Sequence, residues 1–510
     1  MSRNDATTAV DPVDWTQLPV FDDNSSDAFD TEPLAPTYRF DQRPDEVEAA
    51  AVSSRGLGEP SRGGEEFWSQ VDELRKVAGD RLASALEGRE GVSAQAREEL
   101  GRSIIEDVIR DRTDSLIVGG AARWDTTRQA ELKSAVFDAL FRMGRLQPLM
   151  DDATVENIKI QGHDRVYVVR TTGGLERVGP VASSNEDLVQ MLQDLAARQE
   201  DRTFTRSTPM LDLPLPDRAR MAATGWITAD GVPNVTIRMQ RLRDATLSSL
   251  IQVGEIDRVL ANFLSSAVRA HCSLVVSGQS QGSGKTTMLR ALANEIPPYE
   301  AIATIETEPE LYLHEDIENH PLVNSYIARR GSGERDAMGR RVGEITTLDI
   351  LPSALRHNIS RIIVGEVRHH TDLDAMLEAM QMGNGSLSTL HANSADLVLS
   401  RLVRMATYAT GSPEAAQQEI GDVIDLVVYL GQDRDPKTGR LHRYVRDVAE
   451  VAYSADAGRA ITKPVFAPGQ GRRAVPAHLP SPQMLARLVE GGFNQELFTM
   501  NPAGLWGDGL

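Results

Sequence analysis

Apolar residues recur at three- and four-residue spacing in Leu132, Val136, Phe137, Leu140 and Phe141, which gives a helix one apolar face. Two earlier stretches, near residues 71–86 and 94–109, repeat that period, so a helical extension is predicted over residues 63–145. The pattern changes at Leu146. Residues 155–160 and 165–169 are β-rich and flank the turn Gly162-His163-Asp164, a helical period follows near 185–198, and Val235-Thr236-Ile237 reads as another strand. Residues 146–243 therefore predict a compact α+β domain. Beyond it, short apolar runs at 274–276, 301–305, 362–364, 387–390 and 426–430 alternate with helical segments. Runs of that kind are buried on both faces, so an α/β domain with a mainly parallel sheet is predicted over 244–455. Residues 456–510 are rich in Gly, Pro and Arg and read as partly irregular. No internal repeat is present.

Charge adds a tail to this picture. The first fifty residues hold twelve acids against three Lys and Arg, lack either period and contain five prolines, so residues 1–62 read as a disordered acidic tail. The formal net charge of the 510-residue chain is -20, which disfavours stable nucleic-acid binding. Cys272 is the only cysteine, so an intrachain disulfide and a Cys-ligated zinc site are excluded, in keeping with a reducing cytoplasm. No secretory leader is visible at Met1-Ser2-Arg3-Asn4-Asp5, and no apolar run reaches the roughly 20 residues of a membrane-spanning helix. Membrane association at the inner face would then be peripheral.

Four motifs carry candidate chemistry. Gly282-Ser283-Gly284-Lys285-Thr286-Thr287 joins the 274–276 strand to a helical Met288-Leu289-Arg290-Ala291. A glycine-rich turn at a helix N-terminus offers backbone N–H groups and a favourable dipole to phosphate. Lys285 would reach the β- and γ-phosphates of ATP, and the Thr286 hydroxyl would hold Mg²⁺. The spacing is unusual, because five residues separate Gly278 from Gly284 where four are usual. Ile362-Ile363-Val364-Gly365-Glu366 is an apolar strand ending in an acid, which places a carboxylate near Mg²⁺ and water; taken alone, Glu366 could equally pair with Arg368. Thr304-Ile305-Glu306-Thr307-Glu308-Pro309-Glu310 is another strand running into carboxylates, able to orient water or metal or to be a solvated acidic turn. His391, in Leu390-His391-Ala392-Asn393, could be structural or could meet the γ-phosphate.

In this order the four boxes resemble the ATPases of type II and type IV secretion and pilus assembly, closest to the tight-adherence (Flp) pilus branch and similar to the conjugation ATPases. The resemblance covers roughly residues 146–451. It implies a sensing domain followed by a RecA-like P-loop ATPase domain, a homohexameric ring and inner-membrane platform partners. It also implies that Lys285, Glu310, Glu366 and His391 serve catalysis, that Thr286 and Glu366 serve the metal, and that Gly278, Gly282, Ser283, Gly284, Lys285, Thr286, Thr287 and Glu306 line the ATP site. Arg238 and Arg220 would reach the nucleotide from the sensing domain, with Arg202 a further match there and Arg356 at an arginine position before the Glu366 strand. Thr307 replaces a common Asp, Asn358 a common Arg, and 382–386 is one residue short with no second histidine. The function expected is a cytoplasmic secretion or pilus motor. A nucleic-acid-coupled ATPase and a nucleotide-binding scaffold with little turnover are the alternatives.

Overall fold

The computed structural model describes residues 64–506, apart from 90, 121, 172, 200–201, 241–244, 280–281, 332–333, 338, 383, 437–440 and 470. The acidic tail expected at 1–62 lies outside the described residues.

Three helices, Glu65–Leu86, Ala94–Val118 and Thr126–Phe141, form the first layer. Phe67, Val71, Leu74, Ala78 and Leu82 fall on one stripe of the first helix and pack with Ile105, Val108, Ile109, Leu132, Val136 and Phe137. Ser93 and Asp125 cap the second and third helices through their side chains, which sets where each begins.

The next unit is an antiparallel six-stranded sheet in the order Leu175–Val178, Val166–Arg170, Val155–Gln161, Asn234–Arg238, Arg220–Thr224, Met210–Pro214. Helix Asn185–Ala197 covers one face with Leu188, Leu192 and Leu195. Strict alternation matters here. In Asn234–Arg238, Val235 and Ile237 turn inward while Thr236 and Arg238 turn out. Arg220 sits directly across the strand pair from Arg238, so one end of these two strands carries two arginines side by side.

The third unit is an α/β layer around a nine-stranded sheet. Its order is Ala474–Pro476, Arg459–Pro468, Leu441–Ser454, Leu426–Arg434, Leu274–Gly278, Leu387–His391, Arg361–Val367, Ile302–Glu306, Val323–Ile327. From Leu426–Arg434 onward all neighbours run parallel, whereas the first three junctions are antiparallel. The continuous apolar runs are explained by two cores. Leu274 and Val276 join Met288, Leu289 and Leu292 on one face, while Val275 joins Leu402, Met376 and Leu351 on the other. Residues 456–510 contribute two strands to this sheet and helices Pro482–Glu490 and Gln495–Met500, whose Met484, Leu488 and Phe498 enter the first core. The boundary set at 455 therefore falls in the turn of a β-hairpin between Ser454 and Arg459.

Candidate functional site

Leu274–Gly278 is buried along its length and precedes helix Lys285–Ala293. Gly282 and Gly284 hold φ of 81° and 94°, a region that suits glycine. A Cβ on Gly278 would sit 2.6 Å from the Ser283 hydroxyl oxygen, so a side chain there would force Ser283 to shift. No side chain caps the helix at Gly284, which leaves first-turn N–H groups to meet an outside acceptor.

Lys285 opens that helix and is buried, 8% exposed. Its Nζ lies 3.4 Å from Ser283 Oγ and 3.2 Å from His391 Nδ1. Burial pushes the ammonium down to about 8, partly offset by the Glu366 carboxylate, so it remains charged at neutral pH. The other ring nitrogen of His391, Nε2, is 3.1 Å from Glu366 Oε1. A ring accepting at Nδ1 and donating from Nε2 satisfies both contacts. Arg368 Nε donates to the second Glu366 oxygen at 2.7 Å. Burial alone would raise the Glu366 carboxyl, but the His391 hydrogen bond and the Arg368 guanidinium outweigh it and hold it at about 2. Glu366 thus pairs with Arg368 and is joined to Lys285 through His391.

Thr286 Oγ1 donates to Glu310 Oε2 at 2.6 Å. Arg220, from the antiparallel sheet, donates to Glu310 Oε1 and, at 2.6 Å, to Glu308 Oε2. Glu306 lies deeper, 3% exposed, where one oxygen accepts from the N–H groups of Glu310 and Leu311 at 3.0 and 3.1 Å. Burial pushes its carboxyl up to about 8; those two hydrogen bonds oppose the rise and the nearby Glu310 adds to it. A Cβ on Gly365 would approach Glu306 Cγ to 2.9 Å, so that glycine makes room for the acid. These side chains line one cleft together with Thr307 and Leu311.

The site therefore gathers Gly278, Gly282, Ser283, Gly284, Lys285, Thr286, Glu306, Glu310, Glu366 and His391. Thr287, half-buried, follows on the same helical turn. Arg238 is exposed beside Arg220, and its charge bears on Lys285. Arg202 and Arg356 are not among the cleft-lining residues; Arg356 is exposed at the C-terminal end of helix Thr347–Leu355. Three partners lay outside the motif reading. Gln240 Nε2 donates to the Glu310 carbonyl at 2.8 Å, Arg218 pairs with Glu315 and stacks 4.9 Å over the Tyr312 ring, and Arg443 Nε donates to the Gly282 carbonyl at 2.6 Å. Each is brought in by a contact between distant segments, for which no local spacing exists.

A family model described as "Type II/IV secretion system protein" matches residues 146–460, more than half of the chain. The chain belongs to this family. Relatives include VirB11, a type IV secretion system protein of Brucella abortus, 27% identical over 349 residues covering 63% of this chain and 91% of the relative. A candidate conjugal transfer protein of Mycobacterium tuberculosis is 27% identical over 328 residues, 61% of this chain and 83% of that protein. Among solved structures, the pilus retraction motor PilT with bound ADP matches at a TM-score of 0.42 and 17% identity, over 61% of this chain and 83% of that one. No described helix is long and apolar enough to cross a membrane.

Proposed function

We propose that this chain is an ATP-hydrolysing motor with a RecA-like ATPase domain, working as a homohexamer with inner-membrane platform partners at the cytoplasmic face. The transport it powers is pilus assembly of the tight-adherence kind or secretion. The observation that carries this reading is the convergence of two relays on the phosphate loop: Lys285–His391–Glu366 on one side and Thr286–Glu310–Arg220 on the other.

The residues fit a nucleotide with Mg²⁺. Ser283 of the loop packs close over the bare Gly278, and the helix presents uncapped N–H groups beside a buried ammonium. Among the described residues no group of three or more His, Cys, Asp or Glu could hold a metal ion unaided. This suits Mg²⁺, which takes one or two protein ligands and completes its shell with water and phosphate. Thr286, with Glu310 and Glu366 nearby, would hold it, and the ion would supply positive charge against the phosphate oxygens.

Lys285 and the loop N–H groups bind and neutralise phosphate. Glu366, at about 2, is a weak base at neutral pH, so its task is to orient water and hold the proton on His391 Nε2 rather than to remove a proton itself. Glu310 is placed on the Thr286 side of the cleft for the same water. Arg220, with Arg238 beside it, exchanges its carboxylate partners for phosphate, and that exchange moves the antiparallel domain against the ATPase domain.

Native mass measured with and without Mg-ATP tests the ring: a sixfold assembly supports it and a persistent monomer opposes it. The relatives named for conjugal transfer favour a nucleic-acid-coupled reading. Hydrolysis stimulated by DNA, with binding that weakens steeply with salt, would establish that reading against the transport motor.

A further inference from the structure

Outside the four boxes, one side chain touches both the phosphate loop and the antiparallel domain. Arg443 lies on strand Leu441–Ser454, in the antiparallel part of the large sheet. Its Nε donates to the Gly282 carbonyl at 2.6 Å, and its Nη2 donates to Glu156 Oε1 at 2.7 Å. Glu156 belongs to strand Val155–Gln161 of the antiparallel domain. The side chains are about one-fifth exposed, 21% and 23%, so the pair is only partly screened by water.

The loop also packs on this arginine. A Cβ on Gly284 would lie 3.6 Å from Arg443 Cδ and 3.7 Å from the buried Glu255 carboxylate. Glu255 and Arg443 attract one another, and Glu156 holds the far end of the guanidinium. The consequence for the loop follows from peptide geometry. A trans peptide is planar, so its C=O and N–H point in opposite directions. Anchoring the Gly282 carbonyl on Arg443 therefore aims the Ser283 N–H away from Arg443. Gly282 has no side chain to fix its peptide by sterics, and this hydrogen bond supplies the orientation that glycine lacks.

We infer that Arg443 and Glu156 form a positioning pair that couples the seat of the antiparallel domain to the phosphate-binding shape of the loop. When the domain is seated, Glu156 locks Arg443 and the loop N–H groups are pre-set for phosphate. When the domain shifts, the lock opens and the loop relaxes, lowering nucleotide affinity. The pair touches no reacting atom, so it acts on binding more than on the rate of the bound state. This rests on the functional reading above.

The test is Mg-ATP binding and steady-state hydrolysis by the full chain, with Lys285→Ala as a control. Glu156→Gln keeps shape and leaves Arg443 in place, and Arg443→Gln removes the fork. Each is expected to raise the Kd for Mg-ATP about tenfold, as loss of a charged hydrogen bond does, with kcat within about twofold of wild type. The double variant should bind no worse than Arg443→Gln alone, because the two act as one unit. Melting temperatures of all variants separate a folding defect from an affinity change. If wild type binds and Lys285→Ala does not, unchanged affinity in Glu156→Gln, or additive losses in the double variant, overturns the inference and leaves the functional reading standing. Failure of the wild type to bind Mg-ATP overturns both.

Discussion

Glu306 offers a prediction that depends on burial rather than on motif identity. Its carboxyl is pushed up to about 8, whereas the unfolded chain presents an ordinary value of 4.5. The folded state thus holds the proton more tightly. That contribution to stability is fully present below pH 4.5 and is lost as pH rises through about 8. At 1.36 kcal/mol per unit, and allowing for partial loss already at the lower pH, wild type should lose about 4 kcal/mol from this group between about pH 5 and pH 9. Glu306→Gln is the neutral isostere, and its amide oxygen can accept from the N–H groups of Glu310 and Leu311 as the acid does. The variant should lack this slope. The assay is thermal unfolding of both proteins at the two pH values, compared as a difference so that other titrating groups cancel. At about 2–4 °C per kcal/mol for a domain of this size, the gap in melting temperature should move by roughly 10 °C in favour of the variant on going to the higher pH. A gap that stays constant would refute the reasoning and show Glu306 to be ionised in the fold at neutral pH.

Other predictions follow from neighbouring contacts. Glu366 is held at about 2 against 4.5, so its stabilisation is present above pH 4.5 and lost as pH falls through about 2. Glu366→Gln should cost about 3 kcal/mol at neutral pH in urea unfolding and lower phosphate release at least about a hundredfold. Arg361 is fully buried, pairs with Glu300 at 2.5 Å and donates to the Val268 and Gly385 carbonyls. Arg361→Met strands that carboxylate and should destabilise by about 3–5 kcal/mol in the same assay. Arg220→Ala frees Glu308 and Glu310 from their shared guanidinium; kcat for ATP should fall about a hundredfold if Arg220 stabilises phosphate charge.

Much of the α/β half was legible because its signals are local. A strand buried on both faces is mainly apolar, and the runs at 274–276, 362–364, 387–390 and 426–430 each lie within a strand of the large sheet, while 301–305 overlaps Ile302–Glu306. The loop glycines, Lys285 and Thr286 are also read by short-range geometry, since the motif is a turn between one strand and one helix. The C-terminal strands were harder. Arg459–Pro468 contains Pro464 and alternates weakly, and its place is set by hairpin pairing with Leu441–Ser454. Cross-domain partners were not legible. Arg220 meets Glu310 across 90 positions, and Arg443 meets Glu156 across 287, distances at which spacing carries no information. The reading of Glu366 was open between a salt bridge and a catalytic role; the salt bridge to Arg368 is present, and His391 is the further partner that no local spacing announced.

The central claim is that the loop around Lys285 turns over Mg-ATP. Phosphate release by the purified full-length chain at saturating Mg-ATP, measured beside Lys285→Ala, tests it most directly. Lys285 supplies the buried ammonium of the loop, so the account predicts steady turnover by wild type and a loss of at least about a hundredfold in the variant, with melting temperatures alike. Equal rates in the two proteins, or none in the wild type, would contradict it.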